Sequence, residues 1–330
     1  MKNYKLGAKT MPTVESAVHL GIIKTTSLTE NMTINVEENI KKARRSAYGL
    51  FGGGYHGNNG LDPDTLIHLF KTYITSVLLY DMELIIPKAT PLVQLELFQK
   101  RMIKQILSLP TRTADPAVYI LSGLLPVEAQ IHIRALGLFN NICNQAEDSI
   151  EKTLARRQLI VKSNESNSWF IEIKNILRKY NMLEAWWYLD NAPKKTIWTT
   201  AVKRKIYAHW SMTIVEFTPY YNGLRYLICV NLEKGKLHPI LKIINCSSKE
   251  DLYRLPTKLK LLTGSYILQS NQIKMFKNES NMLCLLCSKE KENIKHFILY
   301  CERLEEVRKP ILQEIEEILN DKEISWECLP

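Results

Sequence analysis

Apolar residues recur at intervals of three and four along most of this 330-residue chain, the spacing of helices with one buried stripe. The opening, through Val18-His19-Leu20-Gly21-Ile22-Ile23, instead reads as one or two short strands. From Thr33, read as an N-cap, Val36, Ile40, Ala43, Ala47 and Leu50 define a first helix. Its solvent side carries Lys41, Lys42, Arg44 and Arg45. A Gly-rich segment, Gly49 to Gly60, reads as a flexible connection. Asp62-Pro63 pairs an N-cap acid with proline at the first helical position and starts a second helix, running to about Leu79. Thr90-Pro91 starts a third, with Leu92, Leu95, Phe98, Ile103, Ile106 and Leu107 inward. Another follows Pro126, and the polar stretch 147–165 reads as a linker.

The second half is also mostly helical. It holds Trp169, Trp186, Trp187, Trp198 and Trp210, with a hairpin expected around 226–244. A final helix is marked by Leu304, Val307, Ile311, Ile315 and Ile318, with Pro310 expected to kink it. No internal repeat is visible. The fold class is therefore mostly α with minor strands. The expected division is 1–24, a helical domain over 25–146, a linker over 147–165, a basic helical region over 166–278, and 279–330.

Charge sharpens this division. The chain carries 44 Lys and Arg against 34 Asp and Glu, a net +10. Residues 191–278 hold 15 basic and 4 acidic residues, and residues 302–330 hold 4 and 9. One block thus carries net +11, essentially the whole chain's surplus, which points to an anionic partner. Within it, Trp198, Lys203, Arg204, Lys205 and Trp210 lie on one expected helix, with Lys258, Lys260, Lys274 and Lys277 further on. Basic side chains neutralise phosphates, and exposed aromatics offer stacking faces for bases. The bland alternative is that the tryptophans are core, and for individual tryptophans it is the favoured one. For the whole block, nucleic-acid contact is favoured.

The cysteines add a metal site. Cys284, Cys287, His296 and Cys301 give C-x2-C-x8-H-x4-C. Three thiolates and one imidazole at this spacing can close a tetrahedron around zinc, a structural site with no open position for water. Ile294, Phe297, Ile298 and Leu299 are expected to pack over it. The competing reading is a chance cluster of buried thiols. Clustered cysteines also fit a reducing compartment better than a disulfide framework. With no apolar run of 18 residues and no secretory signal, the expectation is an intracellular chain, nuclear or cytoplasmic, without a membrane partner.

Catalytic motifs fail. Gly52-Gly53-Gly54-Tyr55-His56-Gly57 lacks the Lys-Ser or Lys-Thr of a phosphate loop. Asp62 is better explained as a cap, and no Asp-Asp pair occurs anywhere. Cys143, Cys229, Cys246 and Cys328 have no His at a defensible spacing for a thiol nucleophile. His68 and His132 sit in apolar helical patterns and read as satisfied interior or boundary residues.

Several segments in order resemble the C-terminal region of non-LTR (LINE-type) retrotransposon reverse transcriptases. Tyr4-Lys5-Leu6-Gly7 with His19-Leu20-Gly21-Ile22 looks like the last palm segment, and Gly52 to Pro63 is similar to the Gly-rich connection after it. Leu78-Leu79-Tyr80-Asp81-Met82-Glu83 is similar to a Leu-Leu-Tyr-Gly-x-Glu helix, with Asp where Gly is usual. Leu261 to Tyr266 with Leu268 to Asn271 resembles the segment before the terminal knuckle. His296-Phe297-Ile298-Leu299-Tyr300-Cys301 resembles the knuckle's own ending.

The resemblance implies a thumb-like half over about 25–145 that grips a template–primer duplex. It implies a C-terminal half over about 165–330 that holds RNA or target DNA. The family's catalytic Asp and its Tyr-x-Asp-Asp turn have no counterpart in this sequence. Phosphoryl transfer on two metals needs such carboxylates. The expectation is a nucleic-acid-binding fragment, not active as a polymerase alone, with the missing polymerase core as a further partner. Two alternatives stand beside it: a zinc-stabilised helical adaptor acting through its acidic terminal helix, and a degenerate transposon remnant.

Overall fold

The computed structural model describes residues 5–7, 9–10, 14–55, 61–227, 235–242, 248–268 and 282–321. The fold is mostly α. Two antiparallel two-stranded sheets open the chain: β1 (Lys5–Leu6) with β2 (Lys9–Thr10), and β3 (Ser16–His19) with β4 (Ile22–Thr25).

Helix α1 spans Leu28–Gly52, two turns longer than the sequence pattern suggests. Its N-cap is Ser27, whose hydroxyl accepts from Glu30 N, and Thr33 lies inside the helix. Gly49 and Gly52 are helical too, so the Gly-rich connection begins later than expected. A β-carbon added at Gly49 would meet nothing within 4 Å. Gly49→Ala is therefore expected to stabilise the protein by about 0.5–1 kcal/mol by restricting the unfolded chain. Urea unfolding checks this, and a loss of stability would contradict it.

Asp62 caps α2 (Pro63–Leu69), accepting from Thr65 N at 2.9 Å. The helix passes through a π-turn, Phe70–Ile74, into α3 (Thr75–Leu78), ending within one residue of the expected limit. Then come α4 (Met82–Ile85), α5 (Ala89–Ile106), α6 (Asp115–Ser122) and α7 (Val127–Cys143). Residues 147–165, expected as a linker, contain α8 (Ile150–Val161), capped by Ser149 and burying Ala155 and Leu159. After it come α9 (Trp169–Lys179), α10 (Ala185–Asp190) and α11 (Lys195–Phe217). In the region expected to form a hairpin, Pro239–Lys242 is a helical turn, α12, while 228–234 and 243–247 lie outside the described residues. Helix α13 spans Lys249–Leu262.

Two cores hold these helices. In the first, Val36, Ala43 and Ala47 of α1 bury against Phe70, Ile74, Leu78, Leu95 and Ile103. The second gathers Leu136, Phe139, Ile173, Ile176, Trp198 and Ile206. Helix α7 feeds both, through Ile131 in the first and Leu136 and Phe139 in the second. This sharing is why residues 1–264 form one compact unit, with no separation near 147–165. Gly123, ending α6, shows the tightness: its φ is +63°, and a β-carbon there would lie 2.2 Å from the Lys236 carbonyl oxygen. Only glycine fits both demands.

Residues 265–330 form the second unit. It contains a π-turn at His296–Tyr300 and the helix α14 (Glu305–Asp321), which has Pro310 inside it.

Candidate functional site

In the second unit the chain runs out and back, with Leu283 bridging Lys291 and Glu292 N donating to Met282 O at 2.9 Å. At the turn, Cys284 N donates to Glu290 O and Ser288 N to Cys284 O, each at 2.7 Å, with Ser288 in the left-handed region. Asn293 Oδ1 accepts from His296 N at 2.9 Å and positions the start of the π-turn. That turn closes with Cys301 N donating to His296 O at 2.7 Å. Its i to i+5 closure places His296 and Cys301 together opposite the two cysteines of the knuckle.

The ligand atoms of Cys284, Cys287, His296 and Cys301 all lie within 4.8 Å of one another. Cys284 Sγ is 3.8 Å from Cys301 Sγ, and Cys287 Sγ is 3.3 Å from His296 Nε2. A tetrahedral ion with metal–sulfur bonds of about 2.3 Å requires sulfurs about 3.8 Å apart. The four groups therefore can hold one metal ion. His296 turns Nε2 toward the thiols and Nδ1 toward Glu290 Oε2, at 3.0 Å. A carboxylate behind a ligating histidine holds its tautomer and ring orientation. Backbone N–H groups of Lys289 and Glu290 stabilise the Cys287 thiolate and bring its pKa down to about 7. Burial pushes Cys301 up. Of the apolar residues expected to cover this site, Ile294 and Phe297 are half-buried, whereas Ile298 and Leu299 are largely exposed.

Those of the expected basic contact residues that are described lie on three helices of the first unit. Lys41, Lys42, Arg44 and Arg45 are all exposed on α1. Lys41 meets Glu38 at 2.7 Å, an exposed pair worth about 0–1 kcal/mol. From Lys41 to the end of α1 the solvent face holds no acid. Alongside, Ser46 Oγ donates to Tyr73 O at 3.5 Å, and Tyr48 and Tyr73 are both about half exposed. Lys203, Arg204 and Lys205 are exposed on α11. On α13, Lys258 is exposed and Lys260 half-buried. Lys274 and Lys277 lie outside the described residues.

Trp210 is not an open stacking face. It is half-buried, its Nε1 donates to Tyr180 Oη at 3.1 Å, and Lys179 Nζ sits 5.1 Å from its ring centroid. Trp198 is core, donating to Leu136 O at 2.8 Å. Trp187 is the exposed one among the described tryptophans, and the tyrosines of α1 and the π-turn were not singled out by sequence. His68, expected inside or at a boundary, is exposed, because the buried face of α2 is Leu66 and Ile67. His132 is buried as expected. Cys143 is buried, with its thiol pushed up to about 12 by burial, which keeps it unreactive.

Sequence reasoning also missed an open cleft of about 610 Å3 lined by Asn31, Asn35, Lys88, Trp169 and Glu172. These groups are committed to the fold. Asn35 pairs with both backbone groups of Ile23, Lys88 with Glu172, and Trp169 Nε1 with Glu83 O. No helix of the described residues is long and apolar enough to cross a membrane. Comparison with protein-family models, curated proteins and solved structures found no match.

Proposed function

We propose that this chain is a zinc-bearing nucleic-acid-binding region, related to the C-terminal part of LINE-type reverse transcriptases, that holds RNA or single-stranded DNA without chemistry of its own. The observation that carries this reading is the four-cation face of α1, free of acids from Lys41 onward and flanked by two exposed tyrosines. Cations on one helical face neutralise successive phosphates, and tyrosine rings offer stacking surfaces to unpaired bases. The exposed Lys203, Arg204 and Lys205 of α11 extend the same chemistry to a second helix. Zinc is the ion that best suits three thiolates and an imidazole at tetrahedral spacing, and with four protein ligands it acts structurally.

The expected binding is steeply salt-dependent. For single strands each phosphate contact contributes about 0.7 to the slope of log affinity on log salt. Four contacts by the α1 cations correspond to about a fifty-fold loss between 50 and 200 mM salt. Replacing Lys41, Lys42, Arg44 and Arg45 with alanine is expected to lower the slope by about 3 and to weaken all sequences alike. Fluorescence anisotropy with labelled RNA and DNA oligonucleotides measures both. Affinity that ignores salt, or a four-alanine variant that binds like the parent, would refute the proposal.

A further inference from the structure

Helix α14 places its apolar residues on the outside. Val307, Ile311, Ile315 and Ile318 are 67%, 53%, 36% and 48% exposed, while Leu319 is buried and Leu312 half-buried on another face. At 3.6 residues per turn, the four exposed side chains fall within an arc of about 80° and run about 16 Å along the helix. Their intervals of four, four and three are those of a helix-packing seam. A solvent-facing helix normally keeps this stripe polar, so the pattern marks a contact surface.

The edges of the stripe differ. Glu306, Glu314 and Glu317 line one side, an arc that contains no basic residue. On the other side lies Arg308, whose guanidinium donates to Cys301 O at 2.9 Å and Ile298 O at 3.3 Å. Those bonds fasten the first turns of α14 to the metal-binding turn, so the stripe is presented from a fixed base. A second copy would bring its own Glu306, Glu314 and Glu317 into the same interface. Opposite charge is what the acidic edge favours.

We infer that the outer face of α14 docks an amphipathic helix of another protein, with an apolar ridge at spacing i, i+4, i+7 or i+8 and lysines or arginines along one edge. This surface is separate from the nucleic-acid reading and stands if that reading falls. The probe is a labelled peptide of about three heptads, with leucine at a and d and lysine at e and g, titrated into the full zinc-loaded chain. It is expected to bind at least about tenfold more tightly than a scrambled peptide of the same composition. Ile311→Asp with Ile315→Asp is expected to abolish that preference. Glu314→Lys with Glu317→Lys is expected to move it to a leucine–glutamate peptide. All four changes are at exposed positions, and circular dichroism with zinc content confirms folding. Equal binding of the scramble, or indifference to both double variants, overturns the inference. So does concentration-dependent dimerisation removed by Ile311→Asp, which would make a second copy the occupant.

Discussion

Stripping zinc with a chelator is expected to unfold the second unit while leaving residues 1–264 folded. The reason is what that unit buries. Among its described residues the buried apolar side chains other than cysteine are Leu268 and Leu319. Two buried leucines cannot by themselves offset the conformational entropy of ordering a unit of this size. Neither of the two hydrophobic cores contains a residue from this unit. A structural zinc site supplies about 10–16 kcal/mol of binding free energy, which becomes folding free energy. Cys301→Ser is expected to have nearly the same effect as chelation, because its fully buried thiol is one of the four clustered ligand groups, 3.8 Å from Cys284 Sγ. Limited proteolysis reads the outcome: cleavage within 282–321 should appear on chelation and disappear when zinc is restored. Five of the six tryptophans lie in the first unit, so most of the tryptophan fluorescence should not change. Full protease resistance without metal would show that the four groups are merely buried thiols and an imidazole.

The ligand set was legible because spacing alone brings it together. A Cys-x2-Cys turn and a His-x4-Cys turn need no distant part of the chain to form. Glu290, behind His296, was not legible, since nothing in its spacing distinguishes it from the neighbouring Glu292. The helices were legible where a cap or proline marks the start, as at Asp62-Pro63. Helix α8 was not, because only Ala155 and Leu159 among its apolar residues are buried and the stretch looks polar. Thr33 misled as a cap because Ser27, one and a half turns earlier, already supplies the hydroxyl acceptor. Long-range packing decided the rest. Trp210 and Trp198 share one helix and one chemistry in the sequence. What separates their roles is Tyr180, Lys179 and the Leu136 carbonyl, which come from elsewhere in the chain.

That same packing predicts that the first unit weakens as pH falls from 7 toward 3. His132 is 5% exposed, and its Nδ1 lies 2.8 Å from Tyr180 Oη. Trp210 Nε1 can only donate, so Tyr180 accepts from it, which leaves the Tyr180 hydroxyl proton available to His132 Nδ1. Burial favours the neutral form of His132, whose Nε2 faces Glu128 Oε1 at 3.9 Å. Burial is the main cause that lowers its pKa to about 3, with Lys179 and His209 adding repulsion. Glu128 pulls the other way, but at 3.9 Å and shared with Lys179 it does not compensate. The sign follows from linkage. Between about pH 6.5 and 3 the unfolded chain carries a proton on this histidine and the folded chain does not, so stability is full above 6.5 and falls below it. The loss is about 2 kcal/mol at pH 5 and about 4 kcal/mol at pH 3, a large part of a typical domain's stability. His209, also lowered by burial first and by Lys179, adds a contribution of the same sign. His132→Gln keeps an acceptor for Tyr180 without the titration. Urea unfolding followed by tryptophan fluorescence at several pH values is expected to show a slope shallower in the variant by about 1 kcal/mol per pH unit between pH 6 and 4. Parallel slopes would mean that His132 is protonated in the folded protein and that the Tyr180 hydroxyl points elsewhere.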